Sequence, residues 1–456
     1  MAIQSKNPAT LEILKTFKEI SEKELEAKIA KAQEAFQNWK GTTFQERKKL
    51  MLKLADYLRK HVKEFSLLQT LEMGKTISSG PAGIEKCASL CEYYADNAEK
   101  ILQPEKINSE KGENFVEFDP LGIILAIMPW NFPFWQVYRF AVPAIMAGNV
   151  GLLKHASNVP QCAELIEKSF REAGFPEGVF QNLLIGSGRV EKVLRDSRVK
   201  AVTLTGSEKA GADVARIAGE EIKKSVLELG GSDPFIVFPD VDIAHVANQA
   251  IIARLQNNAG QSCISAKRFI VHKSISEKFT KELVSQISKL IVGDPLLPQT
   301  NIGPLATEQI LLEVAKQVKK SVALGAKIEY GGKRKDGLGY FYLPTVLTKV
   351  KKGMPVYDEE VFGPVWPVIS FEDEEEMIKI SNDTPYGLGA SIWTKDIKKA
   401  RYLVPKIDAG NVFINGIVKS DPRAPFGGIK KSGFGRELSH YGIKEFVNIK
   451  NVSIAE

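Results

Sequence analysis

From Gly122 onward the chain alternates short apolar runs with amphipathic stretches, and this alternation limits the folds open to it. "GIILAIMP", "GNVGLLKHA", "GVFQNLLIG", "KAVTLTG" and "KKSVLELGG" are short and apolar enough to be strands covered on both faces. Stretches such as "PQCAELIEKSFREAG" lie between them and space their apolar residues as a helix does. Buried strands joined by helical crossovers predict an α/β, Rossmann-like domain with a parallel sheet, in which nucleotide binding is the first expectation.

The flanking regions read differently. In the first hundred residues, "EKELEAKIAKAQEAFQNW" and "QERKKLMLKLADYLRKHVKEFSLLQTLEMG" carry helical spacing and predict a helical layer. A second α/β series follows residue 263: "RFIVHK", the helix "SISEKFTKELVSQISKLIVG", then "FYLPTVLTKV", "VWPVISF", "GASIWT" and "GNVFING". Two strand-rich pieces, "ENFVEFDPLG" and "EFVNIKNVSIA", are expected to pair outside the main domains, for example with another subunit.

A length of 456 residues allows two or three domains, and 44% hydrophobic with 26% charged residues is a globular composition. The net charge of +7 is scattered, with no basic block interleaved with aromatics, so no nucleic-acid partner is expected. No apolar run reaches membrane-spanning length, so no membrane partner is expected either. Cys87, Cys91, Cys162 and Cys263 form no CxxC pair and have no His spacing suited to zinc. No metal is expected, and a reducing cytoplasm is the simplest location.

Five segments can carry chemistry, and each of the first three alone also fits a plain structural role. In "PWNFP", Asn131 sits between aromatics and prolines as a rigid amide donor or as an Asx-type turn. In "LELGGSDP", Glu228 ends an apolar strand, either as a general base in a dry cleft or as a carboxylate facing water. In "NNAGQSC", Gly260 and Ser262 allow a sharp turn whose N–H groups would lower the Cys263 pKa, against the alternative of an inert buried thiol. "EEVFGPV" and "PFGGIKKSGFGRE" are glycine-rich and too particular for generic loops.

In the order "PWNFP", "GNVGLLKHAS", "TGSEKAG", "LELGG", "GQSC", "EEVFGPV" and "PFGGIKKSG", the whole chain resembles the aldehyde dehydrogenase superfamily. The resemblance implies a Rossmann-like cofactor domain (1–101 and 121–229), a second α/β catalytic domain (230–435) and a small β oligomerisation element (102–120 and 436–456), assembled as a homodimer or homotetramer. It implies that Cys263 attacks the aldehyde carbonyl while the Asn131 amide and the Cys263 N–H hold the alkoxide; one such donor is worth about 3 kcal/mol. The tetrahedral adduct passes hydride to a nicotinamide ring, and Glu228 activates the water that hydrolyses the resulting thioester.

The same resemblance implies that Glu360 holds the nicotinamide ribose, and that Gly206, Ser207 and Gly211 open a helix near the pyrophosphate. Pro129, Trp130, Leu229 and Phe362 complete the expected cofactor contacts. "GSGRVE" at Gly186 supplies half a GxGxxG and at most lines the cleft. Three positions after Lys154, NAD-preferring relatives carry an acidic residue, and this chain has Ser157. A carboxylate would repel a 2′-phosphate, a serine can donate to it and Lys154 supplies positive charge, so NADP is favoured over NAD. His155, between them, reads as a solvated neighbour.

Eight residues after Asn131, where many relatives that oxidise apolar aldehydes place an aromatic, stands Arg139. With "KHASNVPQC" it looks like the succinate-semialdehyde dehydrogenase branch, and it implies a small substrate with an anionic tail. Ser420 would share that carboxylate, and Trp135 and Phe426 would wall the tunnel. A charge-assisted hydrogen bond contributes about 1.5–3 kcal/mol, enough for tenfold selectivity.

Two departures stand out. The second arginine that some members of the branch carry six residues before the thiol is Asn257 here, with Arg254 one turn earlier as its candidate replacement. Glutarate semialdehyde therefore remains an alternative substrate. A second cysteine two residues after the nucleophile is replaced by Ser265, so no intramolecular disulfide is expected. A coenzyme A acyltransferase and an inactive binding protein are the other readings; the hydrolytic base Glu228 argues against the first, and the intact set of site residues against the second.

Overall fold

The computed structural model describes residues 3–108 and 112–455. Five parallel strands run side by side in the order Phe180–Asn182, Val150–His155, Ile123–Met128, Val199–Thr205 and Lys224–Glu228. Their central residues, Ile124, Leu125, Leu152 and Val202 among them, are fully buried, as strands covered on both faces must be. The first strand in sequence lies in the middle, so the chain winds outward in both directions. The loops that leave Met128 and Thr205 therefore part at a topological switch point, where nucleotides bind in such sheets. A short strand from near the C-terminus, Gly433–Phe434, adds antiparallel to the edge, with Gly433 opposite Glu228.

A second sheet runs in the order Lys327–Tyr330, Thr345–Thr348, Val365–Phe371, Ala266–His272, Asp233–Val237, Gly389–Trp393 and Asn411–Ile414, parallel except for its first pair. The second α/β series expected from the sequence opens only after residue 263, yet Asp233–Val237 is an inner strand of this sheet. Its "DPFIV" is apolar without alternation, the pattern of a strand buried on both faces, but the adjoining glycines and proline read as a loop.

The N-terminal layer contains the expected helices with two differences. Helix Glu22–Trp39 opens with a capping box in which Ser21 and Glu24 satisfy each other's backbone N–H. The long amphipathic stretch after it is two helices, Phe44–Lys60 and Val62–Met73, parted at His61, whose ring stacks on Tyr57 with centroids 4.1 Å apart. A hairpin of Ile3–Lys6 and Ile13–Phe17 precedes them. The two strand-rich pieces pair with each other: Glu113–Pro120 runs antiparallel to Val447–Ile454 on one side and to Glu105–Ile107 on the other. Helix Gly80–Ile101 packs on helix Trp135–Met146, whose residues are all buried.

Among the described residues no helix is long and apolar enough to cross a membrane, and no cluster of three or more His, Cys, Asp or Glu side chains is placed to hold a metal ion.

Candidate active site

The loop that carries Cys263 is held in shape from below. Helix Ile243–Leu255 ends at Gln256 in the left-handed conformation, and Asn257, Ala259 and Gly260 after it also have positive φ. At Gly260 (φ 78°) a β-carbon would fall 2.4 Å from the Gly363 carbonyl oxygen, so only glycine fits. The fully buried Lys267 then gathers the loop: its Nζ donates to the carbonyls of Ser262 (2.9 Å), Cys263 (2.7 Å) and Ser265 (3.3 Å). The same ammonium lies 3.3 Å from Glu360 Oε1, which also accepts from the Gly231 N–H at 3.0 Å. One lysine thus ties the thiol loop to the carboxylate expected to hold a ribose.

Asn131 reaches the same loop from the end of the strand Ile123–Met128. Its Nδ2 donates to the Gln261 carbonyl at 3.1 Å, its Oδ1 accepts from Gln136 Nε2 at 3.1 Å, and Asn258 Nδ2 donates to its carbonyl at 2.6 Å. The side-chain amide is held at both its oxygen and its nitrogen and keeps a second N–H for an oxyanion.

The thiol differs from expectation. Burial pushes the Cys263 pKa up to about 12, with Arg139 and Lys267 pulling it down only in part. The turn does not by itself supply a thiolate; a base must take the proton. Glu228 is suited to that. It is buried, its Oε1 has no hydrogen-bond partner among the described residues, and its carboxyl is held well above the usual range by burial and then by the negative neighbour Glu437. Glu437, itself raised by burial, forms an ion pair with Arg139. Glu437 closes "PFGGIKKSGFGRE" and carries no expected role; its place at the end of a glycine-rich segment is the signal that the sequence offers.

Two cavities meet at this thiol. The larger, about 740 Å³, is lined by Pro129, Trp130, Ser157, Gly206, Ser207, Leu229, Glu360 and Phe362 of the expected cofactor residues. Trp130 and Phe362 meet edge to face across it, with centroids 5.9 Å apart. Helix Glu208–Glu220, capped by Ser207, starts at its wall. Two expected residues sit behind the lining. Gly211 packs on Leu229, where a β-carbon would come within 2.6 Å of the side chain. Lys154 is buried in its strand, and this burial lowers its pKa. The cleft fits an anionic dinucleotide: Thr205 Oγ1 and Asn158 Nδ2, both on its wall, are buried without a hydrogen-bond partner among the described residues.

The narrower cavity, about 210 Å³, shares Cys263 and Gln136 with the cleft and is lined by Arg139, Trp135, Ser420 and Phe426, the four expected substrate contacts. The Arg139 guanidinium stacks over Phe426 at 4.8 Å. Three further lysines line it that sequence reading did not single out: Lys75, Lys86 and Lys419. Lys86 lies on an amphipathic helix and Lys75 and Lys419 lie in loops, where nothing in the sequence sets them apart from solvated lysines. No aspartate or glutamate lines this cavity among the described residues.

Three expectations are corrected. Arg254 does not replace the missing arginine; its guanidinium is buried and donates to the carbonyls of Gly363, Val361 and Ala266 inside the second domain. His155 is not solvated. It is buried against the Met128 and Pro133 carbonyls, and burial lowers its pKa to about 4, so the ring is neutral. "GSGRVE" does not line the cleft: the Gly186 N–H donates to Glu19 at 3.0 Å, ahead of a short turn. Cys87, Cys91 and Cys162 are buried, each with its pKa raised by burial, and all four cysteines are free.

Comparison with known proteins agrees with this geometry. Residues 1–452 match the aldehyde dehydrogenase family. A Synechocystis protein named "Probable succinate-semialdehyde dehydrogenase [NADP(+)]" is 52% identical over 455 residues, covering 100% of both chains. A Mycobacterium tuberculosis protein named "Succinate-semialdehyde dehydrogenase [NADP(+)] 1" is 52% identical over 458 residues with the same full coverage. Among solved structures, a succinic semialdehyde dehydrogenase from Streptococcus pyogenes in complex with NADP+ superposes with a TM-score of 0.97 at 37% identity, covering 100% of each chain. An NAD+ complex of an aldehyde dehydrogenase from Bacillus cereus superposes at 0.96 with 32% identity, covering 100% of this chain and 93% of the other. A thiol placed where a dinucleotide cleft meets an aldehyde-sized tunnel, on a fold shared over the full chain, places this protein in the aldehyde dehydrogenase family.

Proposed function

We propose that this enzyme oxidises succinate semialdehyde to succinate, with NADP+ preferred over NAD+. The observation that carries the substrate is the charge of the narrow cavity, which is lined by Arg139, Lys75, Lys86 and Lys419 with no acidic residue among its described lining. Such a tunnel attracts an aldehyde whose far end is an anion and disfavours an uncharged chain. The names of the full-length relatives support the same substrate and cofactor.

The chain's own groups perform the reaction in sequence. Glu228 takes the Cys263 proton; its raised pKa narrows the gap to the thiol and favours the transfer. The Asn131 amide, fixed by Gln136 and the Gln261 carbonyl, stabilises the alkoxide formed when the sulfur adds to the carbonyl. When bound in the cleft, the oxidised dinucleotide supplies the two-electron acceptor. Glu360, fixed by Lys267 and Gly231, orients its ribose, and Glu228 then activates the water that releases the acid from Cys263.

Ser157 on the cleft wall supports NADP, since it places no carboxylate there against a 2′-phosphate. The three-stranded sheet exposes Ile107, Ile449 and Ile454, which supports a role in homo-oligomer contact. The free cysteines support a reducing cytoplasmic setting. A kinetic panel of succinate semialdehyde, glutarate semialdehyde and butanal against NADP+ and NAD+ tests the reading. The highest kcat/KM is expected for succinate semialdehyde with NADP+, and equal values for butanal and the semialdehydes would overturn it.

A further inference from the structure

We infer that Lys86, acting with Ser420, forms the receptor for the substrate carboxylate and supplies the second cation that Asn257 cannot. The inference rests on the proposed reading of an anionic aldehyde substrate, and it places recognition on a helix of the N-terminal layer rather than on the thiol loop.

Arg139 is only partly available for an incoming anion, because it is ion-paired with Glu437. Arg254 is engaged by backbone carbonyls. Lys75 is buried with its ammonium 4.9 Å from the centre of the Phe132 ring. Lys86 is placed differently. Helix Gly80–Ile101 brings it against helix Trp135–Met146, where its ammonium lies 4.1 Å from the centre of the Trp135 ring and donates to Ser420 Oγ at 2.7 Å. Among the described residues no carboxylate pairs with it at ion-pair distance.

The chemistry of that pair fits a carboxylate. An ammonium has three donors, and only one is engaged by Ser420; the face of Trp135 attracts the charge without taking an N–H in a directed bond. Ser420 accepts from Lys86 through a lone pair, which leaves its own O–H free to donate. One carboxylate can therefore take an N–H from Lys86 and the O–H of Ser420 together, within a cavity that ends at Cys263. Burial lowers the Lys86 pKa to about 8, which still leaves the side chain mostly charged at neutral pH and makes an anion its missing partner.

The test compares Lys86→Met with the unsubstituted enzyme, both saturated with NADP+, on succinate semialdehyde and on butanal. The ratio of the two kcat/KM values is expected to fall by about 10- to 100-fold, carried by KM for the semialdehyde. Lys86→Arg keeps the charge and is expected to retain most of the ratio, which covers the case of Lys86→Met failing to fold. An unchanged ratio in Lys86→Met, or a ratio lost equally in Lys86→Arg, would overturn the inference while leaving the proposed function standing. An unsubstituted enzyme with no preference for the semialdehyde would overturn both.

Discussion

Arg139 and Glu437 form a buried ion pair, with side chains 3% and 6% exposed, and the negative charge of Glu437 raises the pKa of Glu228, the proposed base. Glu437 therefore acts on two neighbours: it compensates Arg139 and it discourages ionisation of Glu228. Glu437→Gln should separate these effects. Arg139 left unpaired in the interior costs about 3–5 kcal/mol, so the unfolding temperature falls. Removing the negative neighbour eases ionisation of Glu228 and lowers its pKa, so the acid limb of the kcat profile moves to lower pH. A pH–rate profile with an unmoved acid limb would show that burial alone sets the Glu228 pKa.

Cys263 should be slow to alkylate in the cofactor-free enzyme. With its pKa raised to about 12, the thiolate fraction grows tenfold per pH unit across the neutral and mildly alkaline range. Iodoacetamide labelling, followed by mass spectrometry, should therefore keep accelerating to about pH 10. A plateau near neutrality would mean that Arg139 and Lys267 overcome the burial.

Replacing the nucleophile tests the division of labour between the two cavities. Cys263→Ala should abolish NADPH formation measured by absorbance while NADP+ affinity, measured by calorimetry, stays within about threefold. Turnover by this variant would remove the thiol from the mechanism.

Ser157→Glu should raise KM for NADP+ by about tenfold or more and lower the preference for it over NAD+, because the new carboxylate faces the 2′-phosphate on the cleft wall. Steady-state kinetics with both cofactors decide the point, and unchanged NADP+ kinetics would displace the phosphate from Ser157.

Lys267→Met should weaken structure and turnover together. The substitution removes the common donor of three loop carbonyls and the cation beside Glu360. A loss of about 2–4 kcal/mol in stability is expected, with kcat reduced and KM for NADP+ raised. A normal unfolding temperature with only KM affected would confine Lys267 to the cofactor side.

The sequence made the first sheet legible because its parallel strands lie in short, mainly apolar stretches close to glycines and are separated by amphipathic helices. It also made the thiol, the amide and the strand-end glutamate legible, since each stands in a short stretch of unusual composition. What stayed hidden depends on partners distant in the chain. Lys86 lies on an amphipathic helix and differs from a solvated lysine only because Ser420, 334 residues away, meets it. Arg254 sits one turn before the position of interest, but its direction is set by carbonyls more than a hundred residues later in the chain. The Cys263 pKa followed the depth of the site more than the turn that presents it.

The antiparallel return of Gly433–Phe434 onto the strand that ends at Glu228 bears on how the enzyme is made. Ser432 accepts the Leu229 N–H on its carbonyl and donates its hydroxyl to the Gly230 carbonyl at 2.6 Å, and Gly427 leaves no room for a β-carbon against Glu228 Oε1. During synthesis on the ribosome, both the nucleophile and its base emerge long before the segment that encloses them. A nascent polypeptide thus carries its thiol without a finished pocket, and competence toward aldehydes waits until residues 427–434 have been made and have folded back.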